Sequence, residues 1–142
     1  MSHYVYHFDE GVITLPEGFR DASVQLFEWT LPDGRCTLTI QREARTGTST
    51  FEELVAQVTE TYPKQFPGFS EEDPMELALD LPATSRRFRW RNEGGVSYHH
   101  QVFVDLESTL LLITCSGHAR LRDDVDRVLH EALSGLRLRE RA

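Results

Sequence analysis

Residues 23–31 alternate in a way that leaves apolar side chains on both sides of a strand, so each side of that strand must meet something apolar. Successive strand side chains point to opposite faces, which puts Phe27, Trp29 and Leu31 on one side and Val24, Leu26, Glu28 and Thr30 on the other. Ser23 begins the run. A Pro32-Asp33-Gly34 turn leads into a second strand that sorts more cleanly, with Cys36, Leu38 and Ile40 against Thr37, Thr39 and Gln41. Paired as a hairpin, these strands are expected to build a core face from Phe27, Trp29, Leu38 and Ile40. Val24 and Leu26 are then left on a sheet surface among Thr37, Thr39 and Gln41. An apolar patch ringed by hydroxyl and amide groups suits an apolar partner that still has hydrogen bonds to make. A second layer of the protein's own core accounts for the same pattern.

The rest of the chain supplies more strands and two helices. Residues 4–8 and 12–15 read as a small hairpin about Asp9-Glu10-Gly11, closed by Pro16. After the polar stretch 44–48, Ser49 followed by Glu52 predicts a capping box, and Phe51, Leu54, Val55 and Val58 recur at helical spacing. That helix is expected to fade at Tyr62-Pro63, with Pro67-Gly68 ending the region. The alternation of Met75, Leu77, Leu79 and Leu81 with Glu76, Ala78 and Asp80 predicts a half-buried strand. Residues 86–91 predict another, with Phe88 and Trp90 inward and Arg87, Arg89 and Arg91 outward, and 92–95 supply a turn. Residues 96–105 and 109–115 predict a further hairpin, whose run Leu110-Leu111-Leu112-Ile113 is apolar on both faces and belongs in the middle of a sheet. A last helix from about Ala119 ends near Gly135, followed by a charged tail over 137–142. This order of elements predicts an α+β fold, an antiparallel sheet built from hairpins with two main helices against it, forming one domain over residues 1–142.

Composition narrows the functions open to such a domain. Net charge is -8, from 15 basic and 23 acidic residues, so no nucleic-acid partner is expected. Fourteen of the basic residues are arginine, Lys64 being the exception, and no function follows from that bias. A 39% hydrophobic content and a mean hydropathy of -0.41 describe an ordinary water-soluble chain. The opening residues carry no basic, apolar leader, and no run approaches the ~20 apolar residues of a membrane span, which predicts a cytoplasmic protein with no direct membrane insertion. Cys36 and Cys115 fall in apolar strand patterns, where reduced thiols behave as small hydrophobes.

No chemistry-bearing motif stands out. His99 and His100 are adjacent strand residues and face opposite sides, so they cannot share one ion. His118 and His130 are twelve residues apart, too far to share one helix-turn spacing. Neither CxxC nor HExxH occurs, and GxSxG, GxGxxG and phosphate loops are missing as well. No enzyme, metal site or cofactor is expected. The stripe of Arg87, Arg89 and Arg91 reads as solvation and edge protection.

In order and spacing the segments resemble the Eag-type chaperones of bacterial type VI secretion, a family with a PsbP-like fold. The resemblance runs through Gly11-Val12-Ile13-Thr14-Leu15-Pro16 into Ala22-Ser23-Val24-Gln25-Leu26-Phe27, then Ile40-Gln41-Arg42-Glu43 and the helix from Phe51 to Pro67-Gly68-Phe69. Phe88-Arg89-Trp90, Gln101-Val102-Phe103-Val104 and Leu112-Ile113-Thr114 complete it. It implies a small cytosolic homodimer that binds the N-terminal transmembrane segments of a cognate secreted effector, notably one with PAAR or Rhs regions, until loading onto the secretion spike. It also implies a partner-binding face made by Val24 and Leu26 with Thr37, Thr39 and Gln41, where the family more often carries serine than threonine or glutamine. The competing expectation is a PsbP-like domain that binds a small ligand or protein without a role in secretion, or a periplasmic or lipoprotein relative of that fold. The missing leader and lipobox cysteine weigh against the periplasmic form.

Overall fold

Alternating sequences become strands where a neighbour can accept the ladder, and this chain provides eight such segments among its described residues. The computed structural model describes residues 4–17, 24–45, 47–77 and 79–137; Ser23, Ala78 and the tail beyond Arg137 lie outside them. Strands β1 (Tyr4–Phe8) and β2 (Gly11–Leu15) form a separate two-stranded sheet. Strands β3 (Gln25–Leu31), β4 (Gly34–Ala44), β5 (Ser70–Glu72), β6 (Ala83–Asn92), β7 (Gly95–Asp105) and β8 (Thr109–His118) form a six-stranded antiparallel sheet in the order β3-β4-β8-β7-β6-β5. Helices α1 (Phe51–Thr59), α2 (Tyr62–Gln65) and α3 (Arg122–Ser134) complete the fold, with a 3-10 turn over Ala119–Leu121 leading into α3. The α+β class read from the sequence is the class observed, and β8 is central as its two-sided apolar run requires.

The two faces of the sheet are covered differently. On one, α3 buries Val125, Val128, Leu129 and Leu133 against Leu38, Val102, Val104, Leu111 and Ile113. On the other, α1 seats Val55 on Phe103 and Leu110, and the α2 region adds Tyr62, Phe66 and Phe69 around Phe88. Gly68 makes the reversal after α2 in the left-handed region (φ 67), with Arg91 so close that any Cβ there would lie 2.8 Å from its guanidinium Nε.

Several expectations are corrected. Helix α1 is capped one residue later than predicted: Thr50, not Ser49, accepts from the Glu53 amide at 3.2 Å, and its hydroxyl donates to the Glu53 carboxylate. Of the expected strand over 75–81, the described residues 75–77 and 79–81 are not in a strand. Pro74 and Pro82 bracket them and cannot donate to a ladder, and Leu77, Leu79 and Leu81 pack against the core. Their path is anchored by Ser85 donating to the Met75 carbonyl and Asp105 donating to that of Pro82. Of the expected core face, Leu38 is buried and Ile40 packs at the core's margin, whereas Phe27 and Trp29 stay 48% and 38% exposed. They sit on an edge strand, and α3 covers β7 and β8 instead. The arginine stripe is not uniformly solvated either: Arg87 turns toward α3 and pairs with Asp126 at 3.4 Å, and Arg89 pairs with Glu72 at 3.4 Å.

Candidate functional site

The β3–β4 register sets Leu26 opposite Thr39 and Glu28 opposite Thr37, joined by a tight turn in which Gly34 takes a positive φ of 148. Pairing of β4 with β8 extends those rows to Thr114 and Ser116, and places Gln41 opposite Leu112. Leu26, Thr37 and Thr39 therefore share one face of the sheet, with Gln41 in the adjoining row. Val24 lies one residue before β3, just outside the paired register. Val24 and Leu26 are 48% and 58% exposed, so neither is in the core of the folded chain. Thr37 and Thr39 are half-buried, Gln41 is exposed, and the hydroxyls of Thr37 and Ser116 lie 3.0 Å apart.

Walls rise on two sides of this floor. Along one runs α1, whose Phe51, Leu54 and Val58, like Leu112 opposite Gln41, pack against the cluster of Val55, Phe103 and Leu110. Along the other stands an aromatic group in which the Trp90 indole N–H donates to His99 Nε2 at 2.7 Å, while the His99 ring stacks on Phe88 at 5.0 Å. Between Thr37, Arg35, Ser116, His99 and Trp90 opens a cavity of about 210 Å³. Burial lowers the His99 pKa to about 4, so its ring is uncharged at neutral pH. Charge appears at the rim instead, where Glu28 and Arg35 approach to 3.9 Å in an exposed pair. The face thus offers aliphatic and aromatic surface, neutral hydroxyls and amides, and no buried charge.

Sequence reasoning missed Ser116 and Thr114 as part of this floor, and considered His99 only as a metal ligand. The polar alternation after Ile113 signals that Thr114 and Ser116 share a face, but which strand they border depends on long-range pairing. Among the described residues no group of three or more His, Cys, Asp or Glu side chains is placed to hold a metal ion. Cys36 and Cys115 are both buried and free, and burial pushes the Cys115 thiol up to about 12. No helix among the described residues is long and apolar enough to cross a membrane.

Comparison with known proteins adds relatives to this geometry. The profile of the DcrB family matches residues 10–135. A Pseudomonas aeruginosa protein named "Effector EagT6" is 26% identical over 113 residues, 78% of each chain. Among solved structures, PA94 of Pseudomonas aeruginosa, a protein of unknown function, superposes with a TM-score of 0.77 at 22% identity, over 98% of this chain and 99% of that one. LpqN of Mycobacterium tuberculosis, described as involved in cell envelope biogenesis, gives 0.53 at 14% identity, over 92% and 88%. Both structural likenesses are of fold.

Proposed function

The chain belongs to the DcrB family, and from that premise we propose that it is a type VI secretion effector chaperone, one that shields the N-terminal transmembrane segments of a cognate PAAR- or Rhs-type toxin and promotes its loading onto the secretion spike. The Eag-type resemblance in the sequence and the relative named Effector EagT6 support this reading. One observation carries it: Val24 and Leu26 are exposed beside a row of hydroxyls, on a sheet face whose Glu28–Arg35 pair stays exposed to solvent. A membrane-spanning helix in water presents on the order of twenty apolar residues, each worth about 1.5 to 3 kcal/mol when buried. Aliphatic side chains on the floor and aromatics on the wall cover part of that surface, and Thr37, Thr39 and Gln41 offer hydrogen bonds to polar groups of the client. A charged groove would penalise the same client by desolvation. The activity is binding rather than catalysis. It takes place in the cytoplasm, and release needs only a better apolar environment for the segment.

The working unit in this proposal is a homodimer. Phe27 and Trp29 lie exposed on the back of β3, and Val5, Tyr6, Val12 and Ile13 are exposed on the β1–β2 hairpin. A two-stranded hairpin is marginal on its own. A second copy gives both surfaces a cover.

The proposal is tested by replacing Val24 and Leu26 together with aspartate and coexpressing the variant with a candidate effector carrying N-terminal transmembrane segments, such as the product of a neighbouring gene. Both positions are exposed, so the variant is expected to fold like the parent by circular dichroism while losing the effector in copurification. Leu38→Asp is the contrasting control: it buries an unpaired charge at a 4% exposed position and is expected to unfold the protein. A folded double variant that retains its effector places recognition elsewhere.

A further inference from the structure

On the opposite side of the sheet from the groove, a buried histidine has one nitrogen with no hydrogen-bond partner among the described residues. His100, 3% exposed, bonds through Nδ1 to Asp126 Oδ1 at 2.8 Å. Tyr98 donates its hydroxyl to the same oxygen at 2.7 Å, and Arg87 reaches Oδ2 at 3.4 Å. Burial pushes the Asp126 carboxyl up, but the bonds from His100 and Tyr98 more than offset this and hold it below its ordinary value. The carboxylate therefore orients the ring: Nδ1 faces Asp126 and Nε2 is turned away from it. That Nε2 is buried and has no hydrogen-bond partner among the described residues. Such an atom costs free energy unless something fills the site.

His100 and Asp126 line a cavity of about 30 Å³ between α3 and residues 75–77, walled by Leu77, Leu129 and Leu133. A cavity of that size has room for a small polar group beside His100. Glu76 and Asp126 both line it, which disfavours an anion. Through the shared residues Leu133 and Ser134 the cavity adjoins a wider one of about 470 Å³, lined by Leu79, Leu81 and Leu136. Met75, Glu76 and Leu77 line the inner cavity and Leu79, Asp80 and Leu81 the wider one.

We propose that the cleft between α3 and residues 75–81 binds a small aliphatic alcohol, whose hydroxyl donates to His100 Nε2 while its chain lies among the leucines of the outer compartment.

Long-range proton–nitrogen spectra of the full chain labelled at histidine nitrogen test this with 1-octanol as the probe. Two controls separate the parts of the claim: 1-methoxyheptane is an isomer without the O–H donor, and octanoate adds a charge. Octanol is expected to move the His100 Nε2 resonance saturably, and both controls are expected to bind at least about tenfold more weakly, the worth of one buried hydrogen bond. Ser134→Trp, at an exposed position on the shared wall, is expected to keep the wild-type circular dichroism and lose octanol. The proposal is overturned if octanol leaves Nε2 unmoved, which leaves the site to a water molecule. Equal binding of the ether, or undiminished binding by a folded Ser134→Trp, overturns it as well.

Discussion

His99 and His100 are neighbours in sequence, yet the strand sends one to the aromatic wall of the groove and the other to the core beside α3. His99 serves the groove only while neutral, because Nε2 must accept the Trp90 N–H. Its folded-state pKa of about 4 lies below the ordinary 6.5, so the unfolded chain takes up a proton first as pH falls. The sign follows: stability from this residue is complete above pH 6.5 and drains away as pH drops toward 4, by at most about 3 kcal/mol. Urea denaturation at intervals from pH 7 to pH 4 is expected to show that loss, and His99→Phe to show a smaller one. Asp105 and Asp126, whose carboxyls are held below their ordinary 3.8, add their losses only at more acid pH. Parallel pH curves for the two proteins would refute the role given to His99.

The described residues of 75–81 carry the pattern of a strand without lying in one. Leu77 and Leu79 are packed against the core although their amides have no ladder partner. Hydrogen exchange is expected to separate burial from bonding: the amides of Leu77 and Leu79 should exchange at least about a hundredfold faster than those of Val102 and Ile113 in the sheet centre. Equal protection would mean that the segment is laddered in solution. The same contrast explains what was legible in the sequence. Period-two alternation sorts side chains between two faces, so the two faces of β4 and the central place of β8 could be read directly, whereas Val24 and Leu26 fitted either an exposed patch or a second core layer. It does not report which strand lies alongside. The neighbours of Thr37 and Thr39 on β8, the three-residue β5 and the exposure of Phe27 all follow from pairings between residues far apart in the chain. Thr50 was missed as the cap because Ser49 and Glu52 form an equally good box one step earlier, and only the path of the chain from β4 chooses between them.

For the molecule as a whole, the unpaired margin of β3 and the detached β1–β2 sheet are the surfaces that one copy leaves open. Light scattering coupled to gel filtration is expected to give twice the chain mass of 16.3 kDa at micromolar concentration. A monomer there would remove the dimer from the proposal while leaving the groove intact. Strand β4 runs through both halves of this design, presenting Cys36, Leu38 and Ile40 to one layer and Thr37, Thr39 and Gln41 to the other. Under the proposed function, odd and even positions of this one strand would answer to separate demands: a new client could be met by changing every second letter of β4, while the letters between them keep the protein folded.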